Sequence, residues 1–313
     1  MRITVLAGGV GGARFLVGLR SAYPNDEITV IGNTADDIWL QGLKVCPDLD
    51  TVMYTLGGGI DTDRGWGRRD ETYTVLDELG AYGFEPLWFT LGDRDLATHL
   101  IRTQLLSAGY PLDEVTAALC KRWDPGVTLL PMTNDRVETH VVVDTDAGPA
   151  AMHFQQWWVQ HRAALPAHRF TFVGIDAATP ASGVLDAIWQ SDVIVLPPSN
   201  PVVSIGPILA VPGIREAVLD TPAPVVGVSG IVGGRPVKGM ADVCLAAIGV
   251  AADAASVAAH YGARGDGGIL DGWVYESGDP EPTSVRASLA TTTLMHDEAA
   301  AAELARVTVG LVT

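Results

Sequence analysis

The opening of the chain constrains its fold more than any other stretch. Residues 1–33 read "MRITVLAGG", "VGGARFLVGLRSA" and "EITVIGN": an apolar run rich in β-branched residues, a glycine-rich turn, an amphipathic segment and a second apolar run. Two strands joined through a helix lie parallel, because parallel pairing needs a crossover of a dozen residues or more. Near the other end, "SGVLDAIWQS", "DVIVLPPSNP", "GPILAVPGIREAVL" and "APVVGVSG" read helix, strand and loop, helix, strand. Both halves feed one sheet. The expected fold is a single α/β domain over 1–313, a Rossmann-like and mostly parallel sheet flanked by helices. Between the halves, "PLWFTLGDRDLATHLIRTQLLSAG" predicts a strand running into a helix, "DEVTAALCKRW" a second helix, and "ETHVVVDTDAGPAAMHFQQWWV" a hairpin around "TDAG". These make an insertion at about 93–170.

Charge narrows the partners. With 37 acidic and 20 basic side chains the formal net charge is −17, and no block of consecutive Lys or Arg occurs. Nucleic-acid backbone and anionic membrane are therefore excluded as partners. Any bound anion must be met by local cations, backbone N–H groups or a metal. The three cysteines, Cys46, Cys120 and Cys244, lack CxxC spacing and suit reduced thiols. The sequence shows neither a signal-type segment nor an apolar run long enough to span a bilayer, so the expected setting is cytoplasmic.

Several motifs fall at strand-to-helix junctions. "AGGVGGAR" places Gly8, Gly9, Gly11 and Gly12 where a backbone can approach a phosphate at a helix N-terminus, or simply pack a helix closely on a strand. As a dinucleotide fingerprint it is imperfect, with Arg14 where Gly or Ala is expected and Asn33 where a ribose-binding acid would stand. "IGNTADDIWLQGLKVCPDLDT" then carries four aspartates. Thr34 with Asp37 reads as a capping box opening a short helix that Gly42 ends, and Pro47 opens a second helix. All four acids could be caps and dipole partners. Two of them, Asp36 and Asp50, are instead assigned to a divalent metal, since the carboxyl ends of strands in open α/β sheets are where ligands bind. "LGDRDLATHLIR" adds Arg94, whose planar fork suits phosphate or a polar ring edge, or else a local ion-pair cluster. "PPSNPVVSIGPIL" offers Ser199, Asn200 and Ser204 as an anion-receptive loop or a plain turn. Phe154, Trp157 and Trp158 are read as core or homodimer-interface aromatics first and a ring-stacking surface second.

Taken in order, "AGGVGGAR", "GNTADDIW", "CPDLDTVMYTLGGGIDTDRGWG", "LGDRDLATHLIR", "SNPVVSIGPIL" and "KGMAD" resemble the 2-phospho-L-lactate transferase family of coenzyme F-420 biosynthesis, most closely its actinobacterial phosphoenolpyruvate transferase branch. The resemblance implies a Mg2+-dependent enzyme. It would move a phosphoenolpyruvyl or 2-phospho-L-lactyl group from a guanosine diphospho donor to the ribityl hydroxyl of the deazaflavin FO, releasing GMP. It places Asp50 and Arg94 against FO, Gly8 to Gly12 with Asn33 and the Ser199 to Ser204 loop against the nucleotide, and leaves Asp37 as metal ligand, cap or catalytic base. Two other readings share parts of the pattern: a nucleotide-sugar-binding regulatory protein of this fold, and a nicotinamide-dependent oxidoreductase.

Overall fold

The computed structural model describes residues 1–146 and 148–313. The first half comprises β1 (Arg2–Ala7), α1 (Gly9–Ala22), β2 (Glu27–Gly32), a short hairpin of β3 (Ile38–Leu40) and β4 (Leu43–Val45), and the helices α2 (Pro47–Leu56), α3 (Thr74–Ala81), α4 (Asp93–Ser107) and α5 (Leu112–Trp123). Then come β5 (Thr128–Pro131), β6 (Glu138–Thr145), β7 (Gly148–His153), β8 (Ala167–Val173), α6 (Val184–Trp189), β9 (Val193–Leu196), α7 (Gly206–Ala210), α8 (Ile214–Asp220) and β10 (Val225–Val228). The chain closes with the two-residue strands β11 (Ile231–Val232) and β12 (Arg235–Pro236), α9 (Ala241–Ala247), α10 (Ala254–Tyr261), β13 (Gly272–Glu276), β14 (Ala287–Thr291) and α11 (Glu298–Gly310).

Seven strands form the central sheet in the order β14-β13-β10-β9-β1-β2-β5, and every neighbouring pair is parallel. Alternate residues of the inner strands feed two cores. Ile3, Val5, Val30, Val193, Val195 and Val226 pack under α1, α2 and α11, while Leu6, Ile31, Ile194, Leu196 and Val225 face α6, α8, α9 and α10. Apolar residues on both faces are what a parallel sheet covered on each side requires. The strand order reverses direction at β1, whose neighbours β2 and β9 lie far apart in sequence, and this opens a crevice beyond the carboxyl ends of β1 and β9.

Four local expectations give way. Residues 34–42 form no helix: Gln41 and Gly42 take φ of 48° and 76°, a turn suited to a two-residue hairpin, and β3 pairs antiparallel with β4. Leu40 and Val45 then cluster with Leu91, which also explains why residues 86–91 pack as an irregular segment instead of a strand. The 93–170 insertion is not clean either, since β5 lies within it and pairs with β2 at the edge of the main sheet. What stands apart is the antiparallel sheet β7-β6-β8, with the expected β6–β7 hairpin. Finally, "GPILAVPGIREAVL" is two helices, α7 and α8, broken at Val211, Pro212 and Gly213 because proline cannot continue α7; the helical stretch Pro201–Ala210 that ends in α7 lies at 87° to α8. No single helix among the described residues is long and apolar enough to cross a membrane.

Candidate active site

The carboxyl ends of β1, β9 and β10 run into Gly8–Gly11, Pro197–Asn200 and Ser229–Gly230, and these segments line a cavity of ≈ 790 Å3. The glycine turn is built for close approach. Gly9 has φ +67°, a Cβ on Gly8 would lie 2.4 Å from Asp48 Oδ2, and one on Gly11 would lie 2.1 Å from the Pro198 carbonyl oxygen. Ser199 Oγ accepts from Gly8 N at 3.2 Å and donates to the Gly8 carbonyl at 2.8 Å. The loop after β9 thus clamps the turn after β1. Asn200 caps the following turn, its side-chain oxygen accepting from Val202 N and Val203 N. Ser204, buried, lines the cavity beside Gly8.

Asp48, read from the sequence only as a cap or dipole partner, proves central. Its Oδ1 accepts from Gly9 N at 2.9 Å and its Oδ2 from Asn33 Nδ2 at 2.9 Å, so one carboxylate ties the start of α2 to the glycine turn and to the end of β2. Asn33 Nδ2 also donates to the Val203 carbonyl at 3.2 Å. Burial pushes the Asp48 carboxyl up to about 6, against the lowering effect of these two donors. Asp36 lines the same cavity, is buried, and its Oδ1 has no hydrogen-bond partner. Burial first, then the charges of Asp48 and Asp37, raise it well above the usual carboxylate range.

The other candidate acids lie elsewhere. Asp37 forms an ion pair with Lys44 Nζ at 3.0 Å, does not line the cavity, and caps no helix, because none forms there. Asp50 is likewise outside the cavity lining: Arg102 grips both its oxygens, Nη1 at 3.0 Å from Oδ2 and Nη2 bonded to Oδ1. Arg102 Nη1 also approaches His99 Nδ1 at 3.1 Å, His99 Nε2 lies 3.3 Å from Asp95 Oδ2, and Tyr54 Oη donates to Asp95 Oδ1 at 2.6 Å. The sequence signal "LGDRDLATHLIR" therefore marks a buried polar network whose cation is Arg102, with Asp50 inside it. Arg94, at the first turn of α4, is 54% exposed and 3.9 Å from Asp70. Its side chain does not line the small concavity that Arg64, Arg68, Glu71, Gly92 and Asp95 share; its backbone N–H donates to Glu71 and its carbonyl accepts from Arg68 Nη1.

Among the described residues, no group of three or more His, Cys, Asp or Glu side chains could hold a metal. Magnesium does not need one, since it commonly takes one or two carboxylates and completes its shell with water and substrate phosphates. The orphaned Asp36 oxygen beside Asp48 fits that demand; the closed Asp50–Arg102 pair does not.

Four basic side chains reach the cavity: Arg14, Arg64, Arg162 and Lys238. Arg64 is engaged by Tyr73 Oη, by Asp61 at 3.6 Å and by the Trp66 ring. Arg14, Arg162 and Lys238 make no hydrogen bond or ion pair among the described residues. In a chain of net charge −17, three unpaired cations converging on one cleft make it receptive to anions. Trp66, Phe89 and Trp158 supply ring surface, while Trp157 is fully buried, its indole N–H donating to the Leu165 carbonyl.

A family model described as 2-phospho-L-lactate transferase CofD matches residues 3–310. The chain belongs to that family. A phosphoenolpyruvate transferase of Streptomyces coelicolor is 61% identical over 311 residues, covering 98% of this chain and 96% of that protein. A phosphoenolpyruvate transferase of Mycobacterium sp. (strain JLS) is 55% identical over 327 residues, covering 99% and 98%. Among solved structures, protein BH3568 of Bacillus halodurans superposes with a TM-score of 0.61 at 20% identity, covering 98% of this chain and 99% of that one, which establishes the shared fold. This CofD-family chain is thus a transferase of the phosphoenolpyruvate transferase type, and the oxidoreductase and regulatory readings fall away. Sequence reasoning missed Asp48, Arg162 and Lys238 as cavity residues, while the ring-stacking alternative for Phe154 and Trp158 matches their place in the lining. Lys238 was within reach, because "KGMAD" is one of the segments that carry the family resemblance.

Proposed function

We propose that this transferase moves a phosphoenolpyruvyl or 2-phospho-L-lactyl group from a guanosine diphospho donor to the terminal ribityl hydroxyl of FO, in coenzyme F-420 biosynthesis. The observation that carries the proposal is the cleft itself: a glycine turn, two buried carboxylates and three unpaired cations around ≈ 790 Å3 at the strand-order reversal. In the reaction the hydroxyl oxygen bonds to the β-phosphorus. The bond from that phosphorus to the oxygen bridging the α-phosphate breaks, GMP departs with the bridging oxygen and its electron pair, and the hydroxyl proton leaves to water.

Transfer of this kind asks the protein mainly for alignment and charge neutralisation. The first-turn N–H groups of α1 beyond Gly9 have no intrahelical partners and favour an anion at the turn. Arg14 and Lys238 add full charges. Asp36 and Asp48 would hold Mg2+, which when bound neutralises diphosphate oxygens and lowers the charge on the leaving group. Asp48 also fixes the turn and Asn33, so donor phosphates and metal carboxylates are set in register by one side chain. Trp66 and Thr90 line both the main cavity and the small concavity, with Phe89 beside Thr90 in the main one, and we assign that side to the deazaflavin. Asp50 supports it from beneath, through Arg102 and His99, at the base of α4. Trp158 lines the cleft and Trp157 is fully buried.

The test is direct. The protein is incubated with FO, Mg2+ and either the enolpyruvyl or the lactyl guanosine donor, and the products are weighed by mass spectrometry. A mass equal to FO plus phosphoenolpyruvate or 2-phospho-L-lactate less one water, with GMP in equal amount, is expected; GMP without an FO adduct would mean hydrolysis and would refute the acceptor.

A further inference from the structure

Arg162 stands in an unusual setting. It follows the short helical turn Gln156–Gln160, and both it and Ala163 take left-handed backbone conformations, with φ of 51° and 53°. Side chains other than glycine seldom adopt this region, and two in succession carry a conformational cost. The strained bend brings Arg162 to the cavity wall formed by Phe154, Gln155, Trp158 and Val159, where it is the one cationic side chain. Its guanidinium has no partner among the described residues.

The other cations of the cleft belong to different places. Arg14 rises from α1, the helix that carries the glycine turn. Lys238 Nζ lies 3.5 Å from the position of a Cβ on Gly65, a position itself 3.0 Å from Val10 Cγ1, so it reaches over the same turn. Arg64 is already engaged by Tyr73 and Asp61. The Arg162 wall, by contrast, is fastened to the backbone of the segment that carries Asp36: Gln155 Nε2 donates to the Asp36 carbonyl at 3.2 Å, and His153 Nε2 lies 3.1 Å from the Asp37 carbonyl.

We propose that Arg162 is the specificity residue that receives the carboxylate of the three-carbon acid on the donor. The inference rests on the transferase reading above. The acid is esterified to the phosphate that is transferred, so its carboxylate must lie next to the groups that hold that phosphate, Asp36 and Asp48. A planar guanidinium in a wall otherwise lined by apolar and neutral side chains matches a planar carboxylate through two parallel hydrogen bonds. Phosphate recognition is already supplied at the glycine turn, which leaves this fork for the acid.

The experiment compares two ligands on Arg162→Lys and Arg162→Met: the complete guanosine donor, and guanosine diphosphate, which lacks the acid. Binding is read by calorimetry in Mg2+, and transfer to FO by product mass. The expected result is a 10- to 100-fold weaker donor affinity in Arg162→Met, with guanosine diphosphate affinity within about 2-fold of wild type, a loss of about 1.4–2.7 kcal/mol. Arg162→Lys recovers part of the loss. Equal weakening of both ligands would make Arg162 a phosphate group and overturn the proposal, as would no change in either. If wild-type protein binds guanosine diphosphate but forms no FO product from either donor, the transferase reading fails, while the two-ligand comparison still decides the role of Arg162.

Discussion

Removing the charge from Asp50 tests the structure where it departs furthest from the sequence reading. A metal-binding carboxylate replaced by asparagine leaves the fold as stable or more so, because it relieves acidic crowding. Here, however, Asp50 is the sole carboxylate among the described residues that grips Arg102, a residue 1% exposed. Asp50→Asn leaves a buried guanidinium facing an amide and an imidazole, and breaking a buried pair from one side costs about 3–5 kcal/mol. With an unfolding entropy of about 2.1 cal/mol/K per residue over 313 residues, the transition entropy is about 0.66 kcal/mol/K, so Tm should fall by about 5–8 °C. The double variant Asp50→Leu/Arg102→Met removes both charges and should melt several degrees above either single variant. Thermal melts of wild type, Asp50→Asn, Arg102→Met and the double variant, at one protein concentration without added ligand, provide the comparison. An Asp50→Asn protein that melts with wild type, yet transfers nothing, would refute the reasoning and return Asp50 to the substrate.

Asp48→Asn should retain its bond to Gly9 N but set two amide donors, its own and that of Asn33, against each other, and lower transfer by at least about 100-fold with a Tm loss of a few degrees; near-wild-type turnover would remove Asp48 from the site. Gly11→Ala forces its Cβ against the Pro198 carbonyl, so nucleotide affinity should fall at least about 10-fold, measured by calorimetry, and unchanged affinity would show that the loop after β9 gives way freely. Asp95 supplies a pH signature. Burial alone would raise its carboxyl, but His99, Tyr54 and Arg102 outweigh burial and hold it below the ordinary range. A depressed folded-state value gives stability that is present above about pH 4 and lost as pH falls through the folded value. Urea midpoints between pH 6 and pH 3 should therefore fall less steeply for Asp95→Asn than for wild type, and parallel profiles would contradict the network.

The sheet was legible because its strands announce themselves: "ITVLA", "EITVIG" and "DVIVL" are β-branched and lead into glycine, asparagine or proline, and the crossover length dictates parallel pairing. The aspartate stretch was harder. Thr34, Asp37 and Gly42 satisfy the local signals of a helix, yet Gln41 can adopt a positive φ, and Leu40 and Val45 gain burial against Leu91, a residue some fifty positions away. Tertiary packing overrides propensity there. The split between Asp48 and Asp50 was equally invisible, since both sit in the first turn of α2 and only the position of Arg102, supplied by another helix, closes one and leaves the other to the glycine turn. Arg162 carried no motif at all; its role follows from a backbone bend that local sequence does not specify.

The proposed transfer depends above all on a magnesium nucleotide binding in the cleft at the strand-order reversal through Asp36 and Asp48. Titration of guanosine diphosphate by calorimetry, with Mg2+ and then with excess chelator, tests it most directly on wild type and on Asp36→Asn. Wild type should bind at least about 10-fold more tightly with Mg2+, and Asp36→Asn, folded to the same melting temperature or higher, should lose that enhancement. An Asp36→Asn protein that keeps the full magnesium enhancement would contradict it.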